Sequence, residues 1–321
     1  MISVVLSVRN NVQQAANCLS SMTRALMQLK LPVEFILIDD NSDAQQNVPQ
    51  LFEQFRKEIG GGGGGGIAGG AAAPAAGPKV TTMVFKQQQH YTRALAYGFS
   101  AARGGHVLFV SHDMLLTAEY VRTLMAVAAS SDAIGLVRGT SPFVDCFPEH
   151  VIAPPLPIRT FEDLDAFARF VSDYHGMAWT EDRLLTGDSM LIKREAIDKI
   201  GVFDPRYFGY FGDIDFGLRL QRAGMKMVCA KGAWLWHEGQ GAYKDQARQT
   251  QTDYQVIHRK RMEVVNAAYM AFREKWDQTM PPHYPGVAGI DFAKLRTVPS
   301  PAGGEFQAAI NPDPATCEIR V

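Results

Sequence analysis

Apolar residues in the first third of the chain follow two rhythms. Ile2–Val8 and Val33–Ile38 are short, β-branched and nearly continuous apolar runs, and Lys79–Phe85 and His106–Val110 continue the series. Between them, Asn11–Lys30, Asn47–Glu58 and Tyr91–Arg103 read as helices. In the last of these, Ala94, Leu95, Phe99 and Ala101 fall on one inward stripe. Strands alternating with helices predict βαβ units, a mostly parallel sheet and right-handed crossovers. Strands that are apolar at almost every position suit a sheet covered on both faces. The expected fold is α/β and Rossmann-like, a mostly parallel sheet flanked by helices.

Later segments change the pattern. Gly60–Pro78 holds ten Gly, six Ala, two Pro and one large apolar residue, Ile67. Such a stretch cannot offset its ordering entropy and is expected to be a flexible insertion at 60–78. Arg138–Arg159 carries five prolines and reads as a long functional loop. A helix over Phe161–Tyr174 and a strand over Leu184–Lys193 follow. Phe203–Gly241 is dense in Gly, aromatic and acidic residues. Thr250–Trp276 reads as a long helix whose Val265, Tyr269, Phe272 and Trp276 share a face. The tail after Met280 is rich in Pro and Gly. The expected division is a domain over 1–241, a C-terminal helical extension over 242–280 and a loosely ordered tail over 281–321.

Composition narrows the function classes. The chain has 321 residues with 46% hydrophobic and 20% charged, enough for a large core. Thirty-two basic against 33 acidic residues leave a net charge of −1, so no global field draws in nucleic acid or an anionic membrane. Cys18, Cys146, Cys229 and Cys317 lie far apart, which argues against a disulfide framework or zinc knuckle and fits a reducing, cytoplasmic setting. MISVVLSVRN has no basic n-region, and no apolar run is long enough to span a bilayer.

Three strand ends carry candidate chemistry. Asp39-Asp40-Asn41-Ser42 follows the second strand, and Ser7, Arg9 and Asn10 end the first on the same edge. Ligands of open parallel sheets bind beyond such carboxyl ends, where a carboxylate can accept from a nucleobase N–H or ribose hydroxyls. The same residues also suit a turn that caps the next element. Ser111-His112-Asp113 ends the fourth strand, where Asp113 can hold a divalent ion bridging a diphosphate, or cap the helix near Thr117. Gly212-Asp213-Ile214-Asp215 opens a helix stopped by Gly224. Its acids suit the helix dipole, and equally a substrate-facing base.

In order and context, ISVVLSVRN, ILIDDNSD, ALAYGFSAARGGHVLFVSHD, the stretch from Leu185 to Gly224, and AWLWHEG resemble the family 2 glycosyltransferases of GT-A fold. The resemblance runs from Ile2 to about Gly241 and is most specific between Leu185 and Gly224. It implies a nucleotide pocket lined by Ser7, Arg9, Asp39 and Asp40. It implies that Asp113 is the last acid of the Asp-x-Asp metal motif and that His237 completes the coordination of Mn²⁺ or Mg²⁺. Asp213 matches the general base of inverting members. The first acid of Asp-x-Asp is Ser111 here, which can still bind a ribose hydroxyl. The usual Glu before the base is Gly212, and an Arg-Asn pair is replaced by Leu95-Ala96.

The implied activity is inverting hexosyl transfer from a nucleotide diphosphate sugar to an acceptor hydroxyl, as in polysaccharide biosynthesis. Trp179, Tyr207, Tyr210, Asp215 and the loop Arg138–Arg159 are the candidates for contact with a glycan or lipid-linked acceptor. Ser111 and Gly212 motivate a rival reading, a noncatalytic sugar-nucleotide-binding or scaffold protein. A nicotinamide-dependent dehydrogenase is disfavoured because SVRNNVQQ lacks the Gly-rich turn. The run His258-Arg259-Lys260-Arg261 reads as a solvated face, with peripheral contact to lipid headgroups as the alternative.

Overall fold

The computed structural model describes residues 1–60, 77–144, 147–187, 189–239, 254–301 and 304–321. The first four strands form where the apolar runs place them: β1 (Ile2–Val8), β2 (Val33–Asp39), β3 (Lys79–Phe85) and β4 (His106–Ser111). The helices between them are α1 (Val12–Leu29), α2 (Val48–Gly60) and α3 (His90–Ala101). Next come β5 (Met114–Leu115), α4 (Ala118–Ala129), β6 (Ile134–Thr140), α5 (Phe161–His175), β7 (Trp179–Glu181) and β8 (Met190–Lys193). The remaining elements are α6 (Arg194–Ile200), α7 (Gly212–Arg222), β9 (Lys226–Trp234), β10 (Trp236–His237), α8 (Tyr254–Trp276), α9 (Phe292–Thr297) and β11 (Cys317–Arg320).

Among the described residues one large sheet has the order β11-β3-β2-β1-β4-β8-β6-β9-β7. The pairs β1–β2, β2–β3, β1–β4 and β6–β9 are parallel, while β8, β7 and β11 run against their neighbours. The sheet is therefore mainly parallel, with helices on both faces. Alternation along β1 shows why: Val4, Leu6 and Val8 join the core under α1, α2 and α4, whereas Val5 joins the core under α3, α6 and α7. Each face removes apolar side chains from water at about 25 cal/mol per Å².

The strand expected over Leu184–Lys193 shortens to β8, because Asp182 and Thr186 turn inward to hydrogen-bond Arg138. The tail is more ordered than its composition suggests. β11 pairs antiparallel with β3, covering a sheet edge, and the amide of Val202 donates to Gln307 at 3.0 Å. The Gly/Ala insertion falls mostly on 61–76, outside the described residues, as does the boundary near 241. No described helix is long and apolar enough to cross a membrane.

α8 is fixed by a buried ionic knot. Lys275 Nζ lies 2.8 Å from Asp204 and 2.6 Å from Asp215, and Arg219 Nε lies 2.8 Å from the other Asp215 oxygen. Trp276 Nε1 also donates to Asp215, at 2.9 Å. Val265, Tyr269, Phe272 and Trp276 pack beside the knot against Phe211 and Leu218 of the α7 region.

Candidate functional site

The carboxyl ends of β1, β2 and β4 share one edge, with Ser7 opposite both Ile38 and Ser111. Two loops are clamped there. Asn10 donates its side-chain amide to Asp43 at 3.1 Å and accepts the Asp43 backbone amide at 2.8 Å. Asp39 accepts the amide of Ser42 at 3.0 Å, closing a turn. Burial raises the Asp39 carboxyl, with Ser42 and the Arg9 charge opposing. Asp40 accepts the amides of Gln89 at 2.5 Å and His90 at 3.0 Å, one on each oxygen. It therefore binds the start of α3, about fifty positions on, rather than capping the element that follows it in sequence. Its carboxyl is pushed up to about 6 by burial, against those amides and Arg9. With both Asp40 oxygens committed, the nucleotide expectation on this edge rests mainly on Asp39 and the exposed Arg9.

The metal expectation joins residues from distant parts of the chain. β10 pairs antiparallel with β5, setting His237 opposite Met114, and the amide of Glu238 donates to the carbonyl of Asp113 at 3.2 Å. His237 Nε2 then lies 3.5 Å from Asp113 Oδ2. His237 Nδ1 is 3.0 Å from the carbonyl of Phe143. A carbonyl only accepts, so Nδ1 carries the proton and Nε2 turns a lone pair toward the carboxylate. Two such atoms call for a shared cation, either a second ring proton or a divalent ion. Asp113 Oδ1 is buried with no hydrogen-bond partner. Burial would raise the Asp113 carboxyl; with a second ring proton on Nε2, the hydrogen bond and charge of His237, then His112, outweigh it and hold the group at about 2. The donor set thus fits a hard divalent cation through one carboxylate and one oriented imidazole. No group of three such ligands forms among the described residues, so other ligands would be needed.

Two contributors had no assigned role in the sequence. His112 bonds the backbone of Ser7, its ring is pushed down by burial, and its Nε2 is buried without a partner. Its place in the middle of Ser-His-Asp was the available signal. Phe143 supplies the carbonyl on His237 and packs its ring at 5.3 Å and 85° to the imidazole. A Cβ on Gly239, where φ is +69°, would come 2.2 Å from the Phe143 ring, so the turn after His237 needs glycine. The loop expected to touch the acceptor thus also orients His237. It is anchored by Arg138, Asp182 and His150: Asp182 lies 2.6 Å from Arg138 Nε and 2.9 Å from His150 Nε2.

Asp213 stands half-buried in the first turn of α7, its Oδ1 accepting the amide of Ile214 at 2.9 Å. This turn lies against the start of α3, the element Asp40 caps. A Cβ on Gly212 would come 2.2 Å from Thr92 Cγ2. The glycine that replaces the family's Glu is therefore fitted to Thr92.

The acceptor candidates separate. Asp215 is fully buried in the ionic knot and Tyr207 donates to it at 3.3 Å, so both are structural rather than acceptor-facing. Trp179 sits on β7 at the sheet's far edge, four strands from β4 and so about 19 Å away at strand spacing. Lys226 Nζ lies 5.7 Å over its ring. Tyr210 is half-buried beneath Arg261, 5.5 Å from its ring centroid.

Comparison with known proteins places these observations. The profile of a family described as glycosyltransferase like family 2 matches residues 68–262. Two Mycobacterium tuberculosis proteins, each an N-acetylglucosaminyl-diphospho-decaprenol L-rhamnosyltransferase, are 42% identical over 53 residues. That match spans 16% of this chain and 17% of theirs. A solved structure of GalNAc-T7 with UDP, GalNAc and Mn²⁺ superposes with a TM-score of 0.54 at 14% identity, covering 92% of this chain and 54% of that one. The mannosyltransferase PcManGT of Pyrobaculum calidifontis, with GDP-Man and Mn²⁺, gives 0.47 at 13% identity, over 78% and 61% of the two chains.

Proposed function

The chain belongs to the glycosyltransferase like family 2 and has the GT-A fold, and on that premise we propose that it transfers a hexose from a nucleotide diphosphate sugar to an acceptor hydroxyl with inversion. The observation that carries this reading is the Asp113–His237 pair, held at one edge with Asp39 and Arg9 and oriented for a shared cation.

Asp39 and Arg9 would bind the nucleotide, with Ser7 and Ser111 at the adjoining strand ends. Asp113 and His237 would hold Mn²⁺ or Mg²⁺, which when bound neutralises charge on the departing diphosphate. Asp213 would accept the acceptor proton while the hydroxyl oxygen bonds the anomeric carbon. The bond from that carbon to the diphosphate oxygen breaks in the same displacement, and its electron pair leaves with the diphosphate. One displacement inverts the centre and needs no carboxylate nucleophile. The lipid-linked acceptor named for the mycobacterial relatives is one acceptor class to test.

UDP and Mn²⁺, both present in the GalNAc-T7 structure, are the first probes. Calorimetry should show UDP binding that Mn²⁺ strengthens, with Asp113→Asn and His237→Ala each losing about 10-fold or more of that gain. Parental Mn²⁺ and UDP binding by His237→Ala would remove the metal assignment. The second reading, sugar-nucleotide binding without transfer, is favoured by Ser111 and by Gly212 against Thr92. It predicts Mn²⁺-strengthened binding with no nucleotide release from any sugar donor, acceptor present or absent.

A further inference from the structure

Exposed large apolar side chains gather in two segments of the described surface. One is the outer face of α5 and the strand after it: Phe170 is 62% and Tyr174 76% exposed, and Met177 and Trp179 are exposed too. The rings of Phe167, Phe170 and Tyr174 follow one another at 6.1 and 6.4 Å, with planes 25° and 21° apart. Phe167 packs on Trp234 beside the buried seam of Leu164, Ala168 and Val171, and Phe170 and Tyr174 carry the aromatic row on into the open, on a helix whose core-facing seam is already filled. A helix covering one core needs one seam. Aromatic residues clustered in the open mark a contact with something else.

Charge selects the occupant. With Asp165 paired to Arg24 and Asp163 taken up in the N-terminal capping box, α5 presents Glu162 and Asp173 against Arg169. Anionic lipid would be repelled, and so would a second α5 laid against the first. The seam suits a basic, aliphatic face. The other segment, the first half of α8, is such a face. Val256, Arg259 and Lys260 are exposed on one side there, with Glu263 among them as the one acid between 254 and 264, and Met262 and Val264 are exposed on the two flanks. Both patches lie on every copy but on different elements, which is the condition for a head-to-tail contact. We propose that the chain self-associates in this way, the aromatic seam of α5 in one copy taking the basic start of α8 in the next.

Sedimentation velocity of the full chain, from micromolar to hundreds of micromolar, tests this. The average mass should rise with concentration and fall again in high salt. Phe170→Ser with Tyr174→Ser should weaken association by about 30-fold or more. Glu162→Lys with Asp173→Lys, and separately Arg259→Glu with Lys260→Glu, should each weaken it by about 10-fold or more. Combining both reversals in one chain should restore it to near the parent, an outcome that misfolding cannot mimic. A constant monomer mass overturns the proposal. So does association that neither reversal changes. A monomer that pellets with phosphatidylglycerol vesicles through Arg259 and Lys260 also overturns it, in favour of lipid.

Discussion

Replacing Asp215 by Asn separates an anchor from an acceptor contact. One Asp215 oxygen receives Lys275 Nζ at 2.6 Å and Trp276 Nε1 at 2.9 Å, and the other receives Arg219 Nε at 2.8 Å. The side chains of Asp215, Arg219 and Lys275 are all 0% exposed. Asn keeps the shape, but it removes the charge and turns an NH₂ toward a donor. Lys275 and Arg219 are then left with Asp204 as the only acid in the knot. Breaking a buried pair in this manner costs about 3–5 kcal/mol. Unfolding entropy near 2.1 cal/mol/K per residue gives roughly 0.6 kcal/mol/K for about 300 residues, so the melting midpoint should fall by about 5–8 °C. Calorimetric melts of Asp215→Asn beside Asp213→Asn measure this. Adding Lys275→Met should cost less than the sum of the two single changes, by at least about 1 kcal/mol, because the unpaired cation is gone. UDP affinity below the midpoint should stay parental. If Asp215→Asn melts with the parent and loses acceptor-dependent turnover, the anchor reasoning is refuted and Asp215 returns to the acceptor site.

Asp213→Asn should lower turnover by about 100-fold or more while the midpoint and UDP affinity stay near parental, since Asn suits the first turn but accepts no proton; turnover within a few-fold of the parent would remove the base assignment. Asp40, with a folded pKa of about 6 above its ordinary 3.8, binds its proton more tightly when folded. Its stabilisation is therefore full below pH 3.8 and lost as pH rises through about 6, a change of about 3 kcal/mol. Urea melts across that window should show Asp40→Asn gaining on the parent as pH rises, and parallel curves would contradict the burial argument. Gly212→Glu should lose about 1–3 kcal/mol by overpacking Thr92, and Thr92→Ala in the same chain should recover part of it; an unchanged urea midpoint for Gly212→Glu would show that the contact yields freely.

Strands such as Ile2–Val8 and Lys79–Phe85 were legible because a sheet buried on both faces demands continuous apolar runs, which are a local property of the sequence. Asp39, Asp113 and Asp213 could be marked for the same reason, since strand ends and first helical turns are local signals. Partnership was not local. Asp215 and Asp213 are two positions apart, yet one is fully buried in the α8 knot and the other stands half-buried in the first turn, and that division depends on how α7 is rotated against its neighbours. Asp40 reads like Asp39 in sequence, but only the placement of α3 gives its two oxygens the amides of Gln89 and His90. The place of Trp179 on the edge strand β7, four strands from β4, was likewise set by the strand order. The β5–β10 pairing, which sets His237 3.5 Å from Asp113, joins residues more than a hundred positions apart. Hydrophobic period is written residue by residue and fixes which elements form. Which side chains meet depends on sheet order, helix rotation and loop anchoring, and those are settled only when every apolar face is buried at once.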